Sequence, residues 1–350
     1  MFLLSVLSCA HAFTARWMNH VGKEIYPPRG GFVTDYDFNS NQWLFGGLLD
    51  GRPGPVVNEL WCKEKNDWNI VEIEGIKPRV RMYSAGCVTV GPSKKEELLI
   101  FGGWDTGAPG SGGEFLDDIW AFDLKSSWEP VGKLPYKVSR HTANKLITGD
   151  ILLHTYKCDG SVLLYDPQKR KCREQKVTGK GPVALSMMAS ASDMYNQNVV
   201  FFGGSNKNQQ MTNSFFVLNT ETWEWEEFGQ LGKGCKWPEP RSSSCLTCIS
   251  SGKFILFGGA GIAPGGYKVG GLAPYNDLWL IDLTELHPVT KPMEVSSFYG
   301  MPVARLASWL TYVNDEQLIL EQGWNPSAGM VEDSKVLCLK NADRVALYDI

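Results

Sequence analysis

Five arginines and one serine stand at nearly one position ahead of a recurring apolar segment: Arg29, Arg81, Arg140, Arg241, Arg305 and Ser186. A guanidinium presents a planar fork of N–H donors that matches a carboxylate with two parallel hydrogen bonds, so a ring of such groups suits capture of an acidic ligand. The same residue type also works inside a fold, paired with a neighbouring acid such as Asp105 or Glu321. Three aromatic residues follow the apolar segments in glycine-rich stretches, Trp104, Tyr267 and Trp324, and Lys268 stands beside the second. Aromatic side chains on loops held by a rigid scaffold make a binding surface, unless the rings fold back onto that scaffold. The expected ligand-binding set is these five arginines, Ser186 and the three aromatic residues.

The elements that position this set are read from a repeat. Leu99-Ile100-Phe101-Gly102-Gly103 recurs as Trp43 to Gly47, Val200 to Gly204 and Ile255 to Gly259. Each copy predicts a short buried strand that ends where only glycine supplies the backbone freedom or close approach. The second glycines are spaced 56, 101 and 55 residues apart, so one copy in the middle has lost its mark. Asp150 to Thr155 fills that gap, with His154-Thr155 in place of the glycines, and Leu318 to Gly323 is a worn sixth copy. The arginines lie 16 or 17 residues ahead of the mark; Arg140 lies 14 ahead, and Arg81 lies 21 ahead across an inserted turn from Gly91 to Glu96. In an antiparallel hairpin the start of one strand and the end of the next share an edge. The arginines and the loops after the glycines are therefore expected on one face of the molecule.

Six units of about fifty residues, one sheet each, indicate a propeller. In the clearest unit Arg241 precedes a first strand, Phe254 to Phe257 forms a second, and Asn276-Asp277-Leu278-Trp279 opens a third. Arg81, Asp118-Ile119-Trp120 and Trp128 repeat the order, as do Arg29, Asn58-Glu59-Leu60-Trp61 and Trp68. The double glycine, the later aromatic residue and the tryptophan six to nine residues beyond it resemble the kelch motif over nearly the whole chain. The resemblance implies an all-β fold, a six-bladed ring of four-stranded antiparallel sheets. Blade 3 departs most, keeping Arg140 and Leu164-Tyr165-Asp166 but carrying Cys172 where others have tryptophan. Either Arg16-Trp17 or the segment Arg344 to Tyr348 is expected to supply the strand that closes the ring.

Other chemistries find no constellation. No G-x-S-x-G elbow, G-x-x-x-x-G-K-[ST] loop or H-E-x-x-H helix occurs, and the glycine-rich stretches 107–113 and 261–271 open no helix. A copper oxidase of the galactose oxidase type needs convergent Tyr and His ligands, whereas of five histidines only His141 and His154 are expected as neighbours. Cys245 and Cys248 fall in one strand, facing opposite sides of the sheet, and make no metal or redox pair. No catalytic residue, metal or cofactor is expected.

Composition agrees with a single ring from residue 17 to 350. The chain has 350 residues, 43% of them apolar and 21% charged, with 37 glycines and 13 tryptophans, enough to fill a core between small sheets. A net charge of −4 gives no overall attraction to nucleic acid. No segment has the length of a membrane span. Residues 1–16 are either a leader, with an apolar run from Phe2 to Cys9 and a small-x-small site at Ala10-His11-Ala12, or an additional strand. Nine cysteines without repeating spacing and no Asn-x-Ser/Thr acceptor point to a cytoplasmic, reducing compartment; a cleaved leader would direct the chain to the secretory route or a plastid. The expected function is a monomeric, non-catalytic interaction module that binds a partner protein or acidic peptide on one face. The alternative is a propeller enzyme acting on a sugar or small anion at the channel mouth, similar to sialic acid epimerases.

Overall fold

The computed structural model describes residues 13–19, 27–50, 54–65, 67–107, 111–230, 236–266, 270–284, 288–297, 300–314, 317–331 and 334–341. They form six four-stranded antiparallel blades around one axis. From the axis outward, blade 1 is Val33–Tyr36, Gln42–Phe45, Leu60–Glu64 and Asp67–Ile70, and blade 2 is Ala85–Val90, Glu96–Asp105, Glu114–Phe122 and Trp128–Val138. Blade 3 is Thr142–Lys145, Ile151–His154, Ser161–Asp166 and Lys171–Lys176; blade 4 is Ala189–Asp193, Asn198–Phe202, Phe215–Asn219 and Glu224–Phe228. Blade 5 is Cys245–Ser250, Lys253–Phe257, Leu278–Asp282 and Val289–Pro292. Blade 6 joins Trp309–Asn314, Gln317–Glu321 and Lys335–Asn341 to Phe13–Asn19, so the segment containing Arg16-Trp17 closes the ring. Trp17 opposes Leu337 and is fully buried, its ring edge-on to Phe257 at 5.6 Å. Residues 1–12 and Arg344 to Tyr348 lie outside the described residues.

The apolar runs are continuous because each blade is sandwiched between two others and must be apolar on both faces. Leu98 and Ile100 point into the cluster shared with blade 1, while Leu99 and Phe101 point into the cluster shared with blade 3. The first glycine of each pair is demanded by a close approach. A Cβ on Gly46, Gly102, Gly203 or Gly258 would meet a backbone oxygen at 2.8, 2.7, 2.4 or 2.8 Å, from Arg81, Val138, Arg241 or Arg305 of the next repeat. All four have positive φ.

Blade 3 is shifted by one residue from the expected alignment. Thr142 opposes His154 as Ala85 opposes Phe101, so His154 stands in the phenylalanine's place and Thr155-Tyr156 replace the glycines. The His154 ring accordingly packs between blades, 5.2 Å from Phe201 and 6.0 Å from Trp225.

Candidate functional site at the channel mouth

The inner strands enclose an axial cavity of about 480 Å³. Its mouth, on the side of the glycine loops, is girdled by backbone hydrogen bonds from blade to blade. Tyr83 N donates to Gly31 O at 2.7 Å, Arg140 N to Tyr83 O at 2.9 Å, Met187 N to Arg140 O at 3.0 Å, Ser243 N to Met187 O at 2.8 Å, and Ala307 N to Ser243 O at 3.0 Å. All six residues are in the left-handed region, φ 52 to 66°, and five of them are not glycine. Such strain persists only where the surroundings over-determine the backbone.

The girdle shows which arginines are equivalent. Arg29, Arg81, Arg241 and Arg305 each stand two residues before a girdle residue and are 0 to 1% exposed. In each, Nε donates to the carbonyl two residues earlier, and Nη1 donates to the carbonyl at the first glycine position: Gly46, Gly102, Gly258 or Gln322. Three then reach an acid on, or directly before, their own third strand. Arg81 grips Asp118 with two 2.7 Å bonds, Arg241 grips Asp277 at 2.5 and 2.8 Å, and Arg29 meets Glu59 at 3.1 Å. The indole N–H of Trp61, Trp120 or Trp279, two residues on, donates to the same carboxylate. Burial alone would raise the Asp118 carboxyl, but its bonds from Arg81 and Trp120 outweigh that and leave it below the usual carboxylate range. The acids are thus Glu59, Asp118 and Asp277, not Asp105, which pairs with exposed Arg79, nor Glu321, which faces Lys63. With their donors committed and buried, these arginines present no free fork at the mouth.

Arg140 differs because it is itself a girdle residue. The structural arginine's place in blade 3 belongs to Val138, and in blade 4 to Leu185, one residue before Ser186. The acid's place is neutral in the same two blades, Ser161 and Ser214. Cation and acid are absent together, which avoids a buried unpaired charge. The half-buried Arg140 guanidinium lies 5.1 Å from the centroids of both Tyr83 and Trp104 and donates to Ser139 Oγ at 3.3 Å; among the described residues it has no acidic partner. Cation–π stacking holds it without neutralising it.

Trp104 is half-buried, between Arg140 and Phe115 (6.3 Å, edge-on), and Trp324 is half-buried in a bridge with Leu306. Ser186 Oγ donates to Ser205 O at 3.3 Å. Tyr267 and Lys268 lie outside the described residues. Sequence reasoning missed three neighbours on the rim: Tyr83, Tyr136 and Lys157. Lys157 Nζ stands 4.6 Å over the Tyr136 ring, and the Tyr136 hydroxyl meets Thr155 Oγ1 at 2.9 Å. Blades 2 and 5, opposite one another in the ring, extend their second and third strands past the glycines, through Trp104 and Asp105 paired with Phe115 and Glu114, and through Ala260–Ile262 with Leu272–Pro274. Blade 3 turns back within Thr155 to Gly160, which leaves a low point in the rim beside Arg140.

His141 and His154 do not converge. Thr142, not His141, opposes His154, so the two rings point to opposite faces. Burial pushes the imidazoles down to about 3 and about 4. Cys245 packs toward blade 6 and Cys248 toward blade 4. Among the described residues no group of three or more His, Cys, Asp or Glu is placed to hold a metal ion, and no helix is long and apolar enough to cross a membrane.

The family model of the KLHDC2/KLHL20/DRC7 Kelch-repeats domain matches residues 143–341. The chain belongs to the kelch-repeat family. Blades 1 and 2 of this kelch propeller repeat the same arginine, glycine and acid geometry outside the matched segment. Acyl-CoA-binding domain-containing protein 4 of Arabidopsis thaliana is 25% identical over 258 residues, 68% of this chain and 35% of that one. Acyl-CoA-binding domain-containing protein 6 of Oryza sativa is 25% identical over 230 residues, 61% of this chain and 31% of that one. An F-box/kelch-repeat protein of Arabidopsis thaliana is 25% identical over 261 residues, 71% of this chain and 41% of that one. The kelch chain therefore spans about a third of the length of the first of these relatives. The solved structure of YjhT shares the fold, with a TM-score of 0.65 at 16% identity over 92% of this chain and 100% of that one.

Proposed function

We propose that this kelch propeller is a non-catalytic protein-interaction module that takes an acidic segment, a side-chain or terminal carboxylate, at the mouth beside blade 3. The observation that carries the reading is Arg140: a half-buried cation stacked on Tyr83 and Trp104, with no acid assigned to it. A carboxylate arriving there forms a charge-assisted bond that no internal acid competes for. The low rim at Thr155 to Gly160 gives the approach, and Lys157 adds a second cation near it. Of the residues expected to bind, Arg140 and Trp104 remain in the contact set, with Ser186 and Trp324 at its margin; Arg29, Arg81, Arg241 and Arg305 support the mouth from within. Cys62, Cys87, Cys158, Cys172, Cys245 and Cys248 stand as thiols among the described residues, which fits a reducing compartment.

Fluorescence anisotropy with a panel of peptides, acidic, amidated at the C-terminus or neutral, tests the reading. Acidic peptides are expected to bind the wild-type chain, with affinity falling as salt rises. Equal binding of neutral and acidic peptides, or no loss in Arg140→Gln, would sink it.

A further inference from the structure

The six interfaces between blades are not alike. Five are filled by clusters of ten or more buried hydrophobic side chains each. The sixth, where blade 6 meets blade 1, has Leu44 and Trp68 alone as its buried hydrophobic pair among the described residues, supported by Phe32 and Trp61. Polar groups take the remaining core positions. Glu321 stands where the other blades have phenylalanine or histidine, and from blade 1 it meets Gln42 and Lys63. Exposure is 1% for Glu321, 1% for Gln42 and 8% for Lys63.

The hydrogen bonds here are incomplete in one particular way. Gln42 Nε2 donates to Glu321 Oε2 and to Thr34 Oγ1, and Lys63 Nζ is 3.8 Å from Glu321 Oε1, too far for a hydrogen bond. Two buried oxygens, Glu321 Oε1 and Gln42 Oε1, therefore have no donor. Both are acceptors while Glu321 is ionised. One proton on Oε1 turns it into a donor, and a carboxylic acid beside an amide exchanges one bond each way. We propose that the interface between blades 6 and 1 is a proton-dependent joint, closed by a neutral Glu321 paired reciprocally with the Gln42 amide and loosened when Glu321 ionises.

The surroundings favour the neutral acid. Burial raises the Glu321 carboxyl, and Lys63 and Gln42 only partly offset this. Burial and the Glu321 charge together also push the Tyr36 phenol up, so these two groups oppose each other's ionisation. Lys63 faces the carboxyl and leans on the Trp68 ring at 5.6 Å. Lys335, on the adjacent strand, opposes Leu320 and thus lies on the other face of the sheet; Arg16 shares the face of Glu321 but stands exposed two strands away. A carboxyl raised by folding contributes stability that is present at low pH and lost as pH rises toward its folded value.

Hydrogen exchange of the full chain across a pH series, corrected for intrinsic rates, tests the joint. Protection in the strands Gln42–Phe45 and Gln317–Glu321 should fall about tenfold per pH unit above the ordinary carboxylate range, then level off once Glu321 ionises in the closed ring. Strands at the interface of blades 2 and 3 should not share that slope. Glu321→Gln should remove the slope and keep the joint closed at neutral pH, and the infrared carbonyl band of a protonated acid should vanish in this variant. Should Glu321→Gln fail to fold, Lys63→Met decides: it should extend closure to higher pH. A joint that loosens at neutral pH in Lys63→Met, or the absence of a protonated-acid band in the wild type, would overturn the proposal in favour of an ionised pair. The peptide assay at Arg140 does not depend on either result.

Discussion

Arg81 and Arg140 belong to neighbouring girdle positions, Tyr83 and Arg140 itself, and serve opposite ends. Arg81 is buried under blade 2, with its Nε, its Nη1 and a bidentate bond to Asp118 all committed to the fold. Arg140 sits in the girdle itself, stacked between two rings with no acid beside it. The same side chain is a rivet in one place and an open donor in the other. The difference comes from two residues of register: a guanidinium two positions before the girdle reaches into its own blade, to the third strand, and one on the girdle stacks at the mouth.

The largest effect should come from breaking the rivet. Arg241→Ala leaves Asp277 without its partner and Gly258 O without its donor, and should lower stability by about 3 to 5 kcal/mol in chemical denaturation. The double change Arg81→Val with Asp118→Ser copies blade 3 and should regain much of what Arg81→Val alone loses. If the double variant is as weak as the single one, charge pairing is not what the acid supplies.

Arg140 should answer in the other assay. Arg140→Ala should weaken acidic-peptide binding by about 1.5 to 3 kcal/mol, the scale of a hydrogen bond to a charged group, while shifting stability by less than about 1 kcal/mol. Trp104→Ala removes one face of the stack and should cost about 0.5 to 1 kcal/mol of binding. A melt that collapses in Arg140→Ala would place this arginine among the rivets.

The histidine in the core of blade 3 sharpens the contrast further. With His154 held down to about 4 by burial, folding favours its neutral form. Its stabilising effect is complete above the ordinary histidine value, about 6.5, and declines as pH falls from there toward 4. His154→Phe restores the residue used in blades 1, 2, 4 and 5 and should flatten that decline, so the variant gains more at pH 5 than at pH 8. The smallest response belongs to the exposed network of Arg79, Glu114 and Lys137: Glu114→Gln should leave the thermal melt unchanged, since exposed ion pairs contribute little.

The repeat was legible because glycine marks a physical demand. The close approach of Gly46, Gly102, Gly203 and Gly258 to a neighbouring carbonyl leaves no alternative residue, so the ring of six could be counted from these marks. Register was legible only where the mark survives. In blade 3 Leu152-Leu153-His154-Thr155 carries no glycine, and an apolar run alone does not tell one residue from the next. Arg140 joins the equivalents of Arg81 in the sequence because, with no glycine to fix the count, its shorter spacing passes beside the others. The acids at Glu59, Asp118 and Asp277 were present in the sequence, each directly before a Leu or Ile and a Trp, and absent in the two blades without the arginine. The association of the two losses was the available signal. Neither the girdle, made of backbone atoms, nor the joint at Glu321 leaves a pattern in a single chain.

The strand that closes blade 6 has a consequence in time. Trp17 meets Leu337, a residue made 320 positions later, so the closing strand must wait through almost the whole synthesis of the propeller. At ribosomal speeds that delay is roughly 15 to 60 s, long against the microseconds in which a hairpin forms. During it, an indole destined for full burial is left on an unpaired strand, open to water, to chaperones and to other nascent chains. The ring is thus finished by the part of it that was made first.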